Sequence, residues 1–129
     1  MKSYKYLFLA SLTVFLFTLT GCGNKVSIGS NANGSTIELE KGQVLVLKLA
    51  SNPTTGYDWE ITGLDTAILQ QKGDVAYKSD SALIGSGGVD TWTFEAFSSG
   101  QTHLQLVYHR SWEKDIPPLE TYDLDIEVK

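Results

Sequence analysis

Three stretches of this chain alternate apolar and polar residues with a period of two. Leu45, Leu47 and Leu49 share one face of VLVLKLA, and Leu104, Leu106 and Tyr108 share one face of THLQLVYH. Tyr122, Leu124, Ile126 and Val128 alternate with Asp123, Asp125 and Glu127. Successive side chains of a strand point to opposite faces, so each stretch reads as a half-buried antiparallel strand. TIELE (Ile37, Leu39), YDWEI (Tyr57, Trp59, Ile61), VAYKS (Val75, Tyr77) and TWTFEAF (Trp92, Phe94) add four more, separated by clusters of Gly, Pro, Asp, Asn and Ser. The pattern predicts strands over residues 36–40, 44–50, 57–61, 75–78, 91–98, 102–109 and 121–128, with a short helical turn as the only helix-like segment, within 65–71. About seven short strands in fewer than 100 residues point to an all-β, immunoglobulin-like β-sandwich, a pattern that small barrels share.

The N-terminal part breaks this pattern. Lys2 and Lys5 precede an uncharged, mostly apolar run from Tyr6 to Thr20, the n-region and h-region of a secretory signal, too short to span a bilayer comfortably as a permanent helix. Leu19-Thr20-Gly21-Cys22 follows and resembles a bacterial lipobox, which implies cleavage after Gly21 and lipid on Cys22. Cys22 is the only cysteine, so no disulfide can form within the chain, and its place after the leader makes it an anchor rather than a nucleophile. One acyl chain anchors only marginally, so stable attachment implies more than one on Cys22. The expected domains are therefore a signal peptide (1–21), a lipidated cysteine with a flexible tether (22–35, rich in Gly, Asn and Ser), and one folded domain (36–129). The expected place is the cell envelope. Gly23 is not the aspartate associated with inner-membrane retention, which favours the outer membrane in a Gram-negative cell; in a Gram-positive cell it would be the outer face of the plasma membrane.

Charge narrows the partners. The chain has ten basic and fifteen acidic residues, and loss of Lys2 and Lys5 with the leader leaves a formal charge of −7. An acidic domain is repelled by phosphate backbones, which excludes nucleic acid as a partner. Membrane contact would come through lipid, and monomer is the expected state.

Three long connections follow the strands at 44–50, 75–78 and 102–109, and in an immunoglobulin-like sandwich these emerge at one end. In the first, Asn52-Pro53-Thr54-Thr55-Gly56-Tyr57, proline fixes its own φ, two β-branched residues stiffen the tip, and glycine permits a sharp return. By itself this could be no more than a well-made turn. The second contains Ile84-Gly85-Ser86-Gly87-Gly88, open to close backbone approach or to simple flexibility; with no lysine and no strand-to-helix unit it is not a phosphate loop. The third, His109-Arg110-Ser111-Trp112-Glu113-Lys114-Asp115, carries an arginine and a tryptophan, the side chains most enriched at binding hot spots. Its plainer reading is a Trp folded over the sandwich edge with Arg110 paired to Glu113 or Asp115.

Together NPTTGY (Asn52 to Tyr57), GSGG (Gly85, Ser86, Gly87, Gly88) and the Arg110-Ser111-Trp112 triplet resemble, in order and separation, the motifs of the chagasin family of cysteine-peptidase inhibitors. The resemblance spans 36–129. It implies a domain that plugs the active-site cleft of papain-like peptidases, with Thr54 and Thr55 over the catalytic pair of the enzyme and the other two loops gripping the cleft walls. Where the family pattern has proline between arginine and the aromatic residue, this chain has Ser111, which implies a less rigid third loop.

Other readings remain open to the sequence. His103 and His109 share a strand face opposite to Leu104, Leu106 and Tyr108, so both point outward, and no HExxH, CxxC or GxSxG spacing accompanies them. Neither catalysis nor a metal or cofactor is expected. The alternative is a non-inhibitory envelope module, binding carbohydrate or protein through Trp112, Tyr57 or Trp92.

Overall fold

A computed structural model describes residues 24–129. The expected leader and Cys22, the expected lipidation position, lie outside the described residues. Among the described residues nine strands form: β1 (Lys25–Ile28), β2 (Thr36–Leu39), β3 (Val44–Ser51), β4 (Asp58–Gly63), β5 (Leu69–Gln71), β6 (Ala76–Ser79), β7 (Gly88–Ala96), β8 (Gly100–His109) and β9 (Glu120–Val128). They make two sheets, one in the order β1-β3-β7-β5 with β6 also on β7, the other in the order β2-β9-β8-β4. This is the expected all-β sandwich of immunoglobulin-like kind, open at its edges rather than closed as a barrel.

The alternating residues fill the space between the sheets. Leu45, Leu47, Leu49, Trp92, Phe94, Leu104, Leu106, Tyr122, Leu124, Ile126 and Val128 are all buried and form one cluster. A central strand flanked on both sides can bury such a row completely, and β3, paired to β1 and β7, does so.

Three expectations need correction. Residues 25–35 are not a tether. β1 pairs in parallel with β3, from Lys25 opposite Val44 to Ile28 opposite Leu47, and Val26, Ile28 and Ala32 pack on the core. The segment is then pinned further: Tyr122 Oη donates to the Gly29 carbonyl at 2.8 Å, and Asn33 exchanges hydrogen bonds with Thr121 and Asp123. Two hydrophobes look too few when judged locally, but β3 offers them a ready edge. Second, the turn within 65–71 stops at Ile68, whose amide donates to the Asp65 carbonyl, and Leu69–Gln71 continue as strand β5. Leu69 is fully buried there. Third, Val75 and Tyr77 are exposed, because β6 is an edge strand.

On the outer face of the second sheet, His103 lies between two carboxylates, Nδ1 at 2.7 Å from Asp125 and Nε2 at 2.8 Å from Asp123. Hydrogen bonds to Asp125 and then Asp123 raise the imidazole pKa, and the bonds from His103 and Gln105 lower that of Asp123. A raised histidine pKa stabilises the fold fully below the unfolded value of about 6.5, an effect lost as pH rises through the folded value. The lowered Asp123 pKa stabilises above the unfolded carboxylate value and fails as pH falls through the folded one.

Two outcomes are expected. The melting temperature lost in His103→Gln should be larger at pH 5.5 than at pH 8.5; equal losses would count against the clasp. Ile28→Ser should destabilise the fold by about 1–3 kcal/mol in urea titration, as burial of part of an aliphatic side chain requires, whereas a loose tether would give no change.

Candidate functional site

The connections 52–57, 80–87 and 110–119 meet at one pole of the sandwich. Asn52 joins two of them to the core. Its backbone N–H donates to the Tyr108 hydroxyl at 3.0 Å, and its side-chain amide donates to the Gly85 carbonyl at 3.2 Å. Its side-chain oxygen accepts from the Thr54 amide at 3.2 Å and from the Thr54 hydroxyl at 2.6 Å, an Asx turn that caps a single 3-10 turn, Pro53–Thr55. The Asn52 carbonyl accepts from the Thr55 amide at 3.1 Å and the Thr55 hydroxyl at 2.6 Å. Gly56 ends the turn at φ +80, a left-handed conformation that a side chain would strain.

Arg110 ties the third loop to the first. Its Nε donates to the Thr55 carbonyl at 3.0 Å, its guanidinium carbon lies 4.4 Å from the centre of the Tyr57 ring, and its NH1 is 3.0 Å from Glu113. The hydrogen bond that Arg110 donates to Glu113 raises the guanidinium pKa. Below them Tyr57, Tyr108 and Trp59 stack, with ring centres 5.4 and 5.0 Å apart. Trp59 also donates to the Ala50 carbonyl. Behind this base Asp90 is nearly buried, and desolvation, reinforced by Asp58, raises its carboxyl pKa.

Trp112 leans on the first loop. A Cβ added at Gly56 would overlap its ring, yet the side chain remains 65 % exposed. Pro53, Thr54 and Thr55 are exposed at the tip between the two flanking loops. Both threonine hydroxyls point their bonds inward to Asn52, so their methyl groups are the unengaged part of the tip.

The family profile described as chagasin family peptidase inhibitor I42 matches residues 38–126. The chain belongs to the chagasin family. It is 29 % identical over 84 residues to chagasin of Trypanosoma cruzi, covering 62 % of this chain and 76 % of that one. It is 27 % identical over 96 residues to amoebiasin-2 of Entamoeba histolytica, covering 74 % and 78 %. Its fold is similar to the crystal structure of the cysteine protease inhibitor EhICP2 from Entamoeba histolytica, with a TM-score of 0.72 at 20 % identity over 81 % of this chain and 95 % of that one.

Most residues singled out from the family motifs come together here, but they do different work. Asn52 and Gly56 shape the first loop, Tyr57 is half-buried beneath Arg110, and Gly85, Ser86 and Gly87 form the second loop beside Asn52. Gly88 belongs to the fold instead. It is the buried first residue of β7, where a Cβ would run into the Lys78 carbonyl oxygen and the Tyr77 ring. The plainer reading of the third loop is half right, since Arg110 does pair with Glu113, but Trp112 covers Gly56 and not a sheet edge. No aromatic platform forms from the three candidates, because Trp92 is buried and Tyr57 is covered by Arg110. Two residues were missed: Leu83 is 77 % exposed and Ile84 fully so, an apolar point on a polar loop. Their position between Ala82 and a Gly-rich stretch was the available signal.

Gly56→Ala should cost about 1–3 kcal/mol in stability from backbone strain and the clash with Trp112. Combining it with Trp112→Ala should recover part of that loss, the remainder being strain; strict additivity in a double-mutant cycle would mean that the ring and Gly56 are not in contact.

Proposed function

We propose that this chain inhibits papain-like cysteine peptidases by filling their active-site cleft with the three-loop pole, and that it performs no catalysis itself. The observation that carries this reading is the Thr54-Thr55 tip, exposed yet held rigid by Asn52 and Arg110. A wedge already in its bound shape loses little ordering entropy on docking. In this reading Thr54 and Thr55 sit over the catalytic cysteine and histidine. Leu83 and Ile84 supply an apolar contact on one cleft wall, and Trp112 one on the other.

The same geometry explains why the tip would resist cleavage. The amides of Thr54, Thr55, Gly56 and Tyr57 all donate within the loop, to Asn52, Asn52, Pro53 and Thr55. A peptide closed in a 3-10 turn cannot lie extended along a protease cleft, and a bond held away from attack geometry reacts slowly even beside a nucleophile.

The reading includes the lipoprotein assignment. Cys22 is acylated, and the domain acts as a monomer at the envelope surface. The support is the order of charged start, apolar run and Leu19-Thr20-Gly21-Cys22 in the sequence.

Purified 22–129 protein, with Cys22 replaced by serine, should abolish papain hydrolysis of a fluorogenic peptide at micromolar concentration. Unchanged hydrolysis would end the proposal. Replacing Thr54 and Thr55 together by glutamate should restore hydrolysis while the melting temperature stays close to wild type. Trp112→Ala and Ile84→Ser should each weaken inhibition about 5- to 150-fold, the 1–3 kcal/mol range of an interface anchor.

A further inference from the structure

The described chain begins at the pole opposite the three loops. The Val44 amide donates to the Asn24 carbonyl at 2.5 Å, and β1 then runs parallel to β3 toward the first loop. At the same pole the Lys41 amide donates to the Lys129 carbonyl at 3.2 Å, and the Gly42 amide to the Ala96 carbonyl at 2.8 Å. Phe97 follows, its amide held by the Ile68 carbonyl at 2.8 Å and its side chain 54 % exposed. Among the described residues, the other exposed large hydrophobics lie in the second and third loops, at Leu83, Ile84, Trp112, Ile116 and Leu119, or beside and on edge strand β6, at Val75 and Tyr77. Phe97 is the exception.

We propose that this pole seats on a phospholipid surface with the Phe97 ring in the headgroup layer, so that the strands hold the Thr54-Thr55 tip on the aqueous side. This goes beyond the inhibitor reading and rests on acylation of Cys22. From Cys22 to Lys25 the chain can reach at most about 11 Å, so acyl chains in the bilayer bring this pole to the surface before any other. Strand β3 has eight residues, a rise of about 24 Å, and the inhibitory tip lies beyond its far end. An exposed phenylalanine ring can bury itself at the boundary between headgroups and acyl chains. Charge contributes less. Lys25 and Lys41 are exposed, and Glu38 and Glu95 are paired with Lys129 and Lys72, but Glu40 and Asp65 are exposed at the same pole.

The test couples the thiol of Cys22 in the 22–129 chain to a maleimide lipid in phosphatidylcholine vesicles containing phosphatidylcholine brominated near the headgroup. Bromine quenches tryptophan only at short range. Trp112 and Trp59 report the loop pole and Trp92 reports the core, so coupled wild type should be quenched little, whereas coupled F97W should lose at least half of its added fluorescence. F97W quenched no more than wild type, or wild type quenched as strongly as F97W, would overturn the proposal. Mass spectrometry of Cys22 from the producing cell separates the two readings. Acylated Cys22 with unquenched F97W removes only the seating of this pole, while unmodified Cys22 removes the lipoprotein reading and this inference with it. Papain inhibition by the uncoupled chain is independent of both.

Discussion

Asn52 has a backbone amide, a carbonyl, a side-chain oxygen and a side-chain amide, and each is engaged by a different neighbour. They bond to Tyr108 on β8, to Thr55, to Thr54 and to Gly85 of the second loop. The residue thus connects one sheet, the tip of the first loop and the backbone of the second. No other side chain could do this without loss: aspartate lacks the donor for Gly85, and glutamine is one methylene too long for the Asx turn. Arg110 closes the arrangement from the third loop by reaching the Thr55 carbonyl. A surface made of three separate connections is thereby one body, and its shape is set by a few polar groups rather than by buried area.

The inward turn of those polar groups also decides what the tip presents. Thr54 and Thr55 are polar residues at an exposed position, yet their hydroxyls and amides are already bonded within the loop. A partner therefore meets methyl groups and a proline ring, flanked by Leu83, Ile84 and Trp112, without having to strip water from strong donors. Such a surface is costly to leave exposed and is typical of an interaction site. Glu113 contributes indirectly, since by pairing with Arg110 it holds the guanidinium over Tyr57 and within reach of Thr55.

The sandwich was readable because β7, β8 and most of β9 carry their burial in alternation, with Leu45, Leu47 and Leu49 of β3 sharing one buried face, and parity is a local property of the chain. β1 was not, since Lys25-Val26-Ser27-Ile28 has little to bury alone; it is ordered by β3, a neighbour about twenty residues away in sequence and hence invisible to composition. β5 was hidden for a related reason. Asp65 begins a turn with its side-chain oxygen accepting from the Ala67 amide, a helical signal, and only pairing with β7 converts the next residues to strand. At the candidate site the first loop was legible from its proline, threonines and glycine. The glycine run was read as one motif, but Gly88 serves the pairing of β6 with β7, a demand set by backbone proximity and not by sequence spacing. Leu83 and Ile84 were passed over because exposure of a hydrophobe cannot be seen until the loop has a path.

β3 gives the molecule its polarity. Its first residue holds Asn24 and its last precedes Asn52, so the point where the chain enters the domain and the point where it presents the tip are the two ends of one strand. That strand is hydrogen-bonded on both edges, to β1 and to β7, and Leu45, Leu47 and Leu49 anchor it in the core. Bending it would break its pairings with β1 and β7 and open the core cluster, so the separation of the two poles cannot vary independently of folding. The second loop is closed by bonds of its own: the Leu83 amide donates to the Ser81 hydroxyl at 2.9 Å, the Ser86 amide to the Leu83 carbonyl at 3.2 Å, and the Asp80 amide to the Gly87 carbonyl at 3.0 Å. The Thr54-Thr55 tip and the Leu83-Ile84 point are therefore both shaped by short-range hydrogen bonds, and the strand frame fixes how far each stands from the pole where the chain enters.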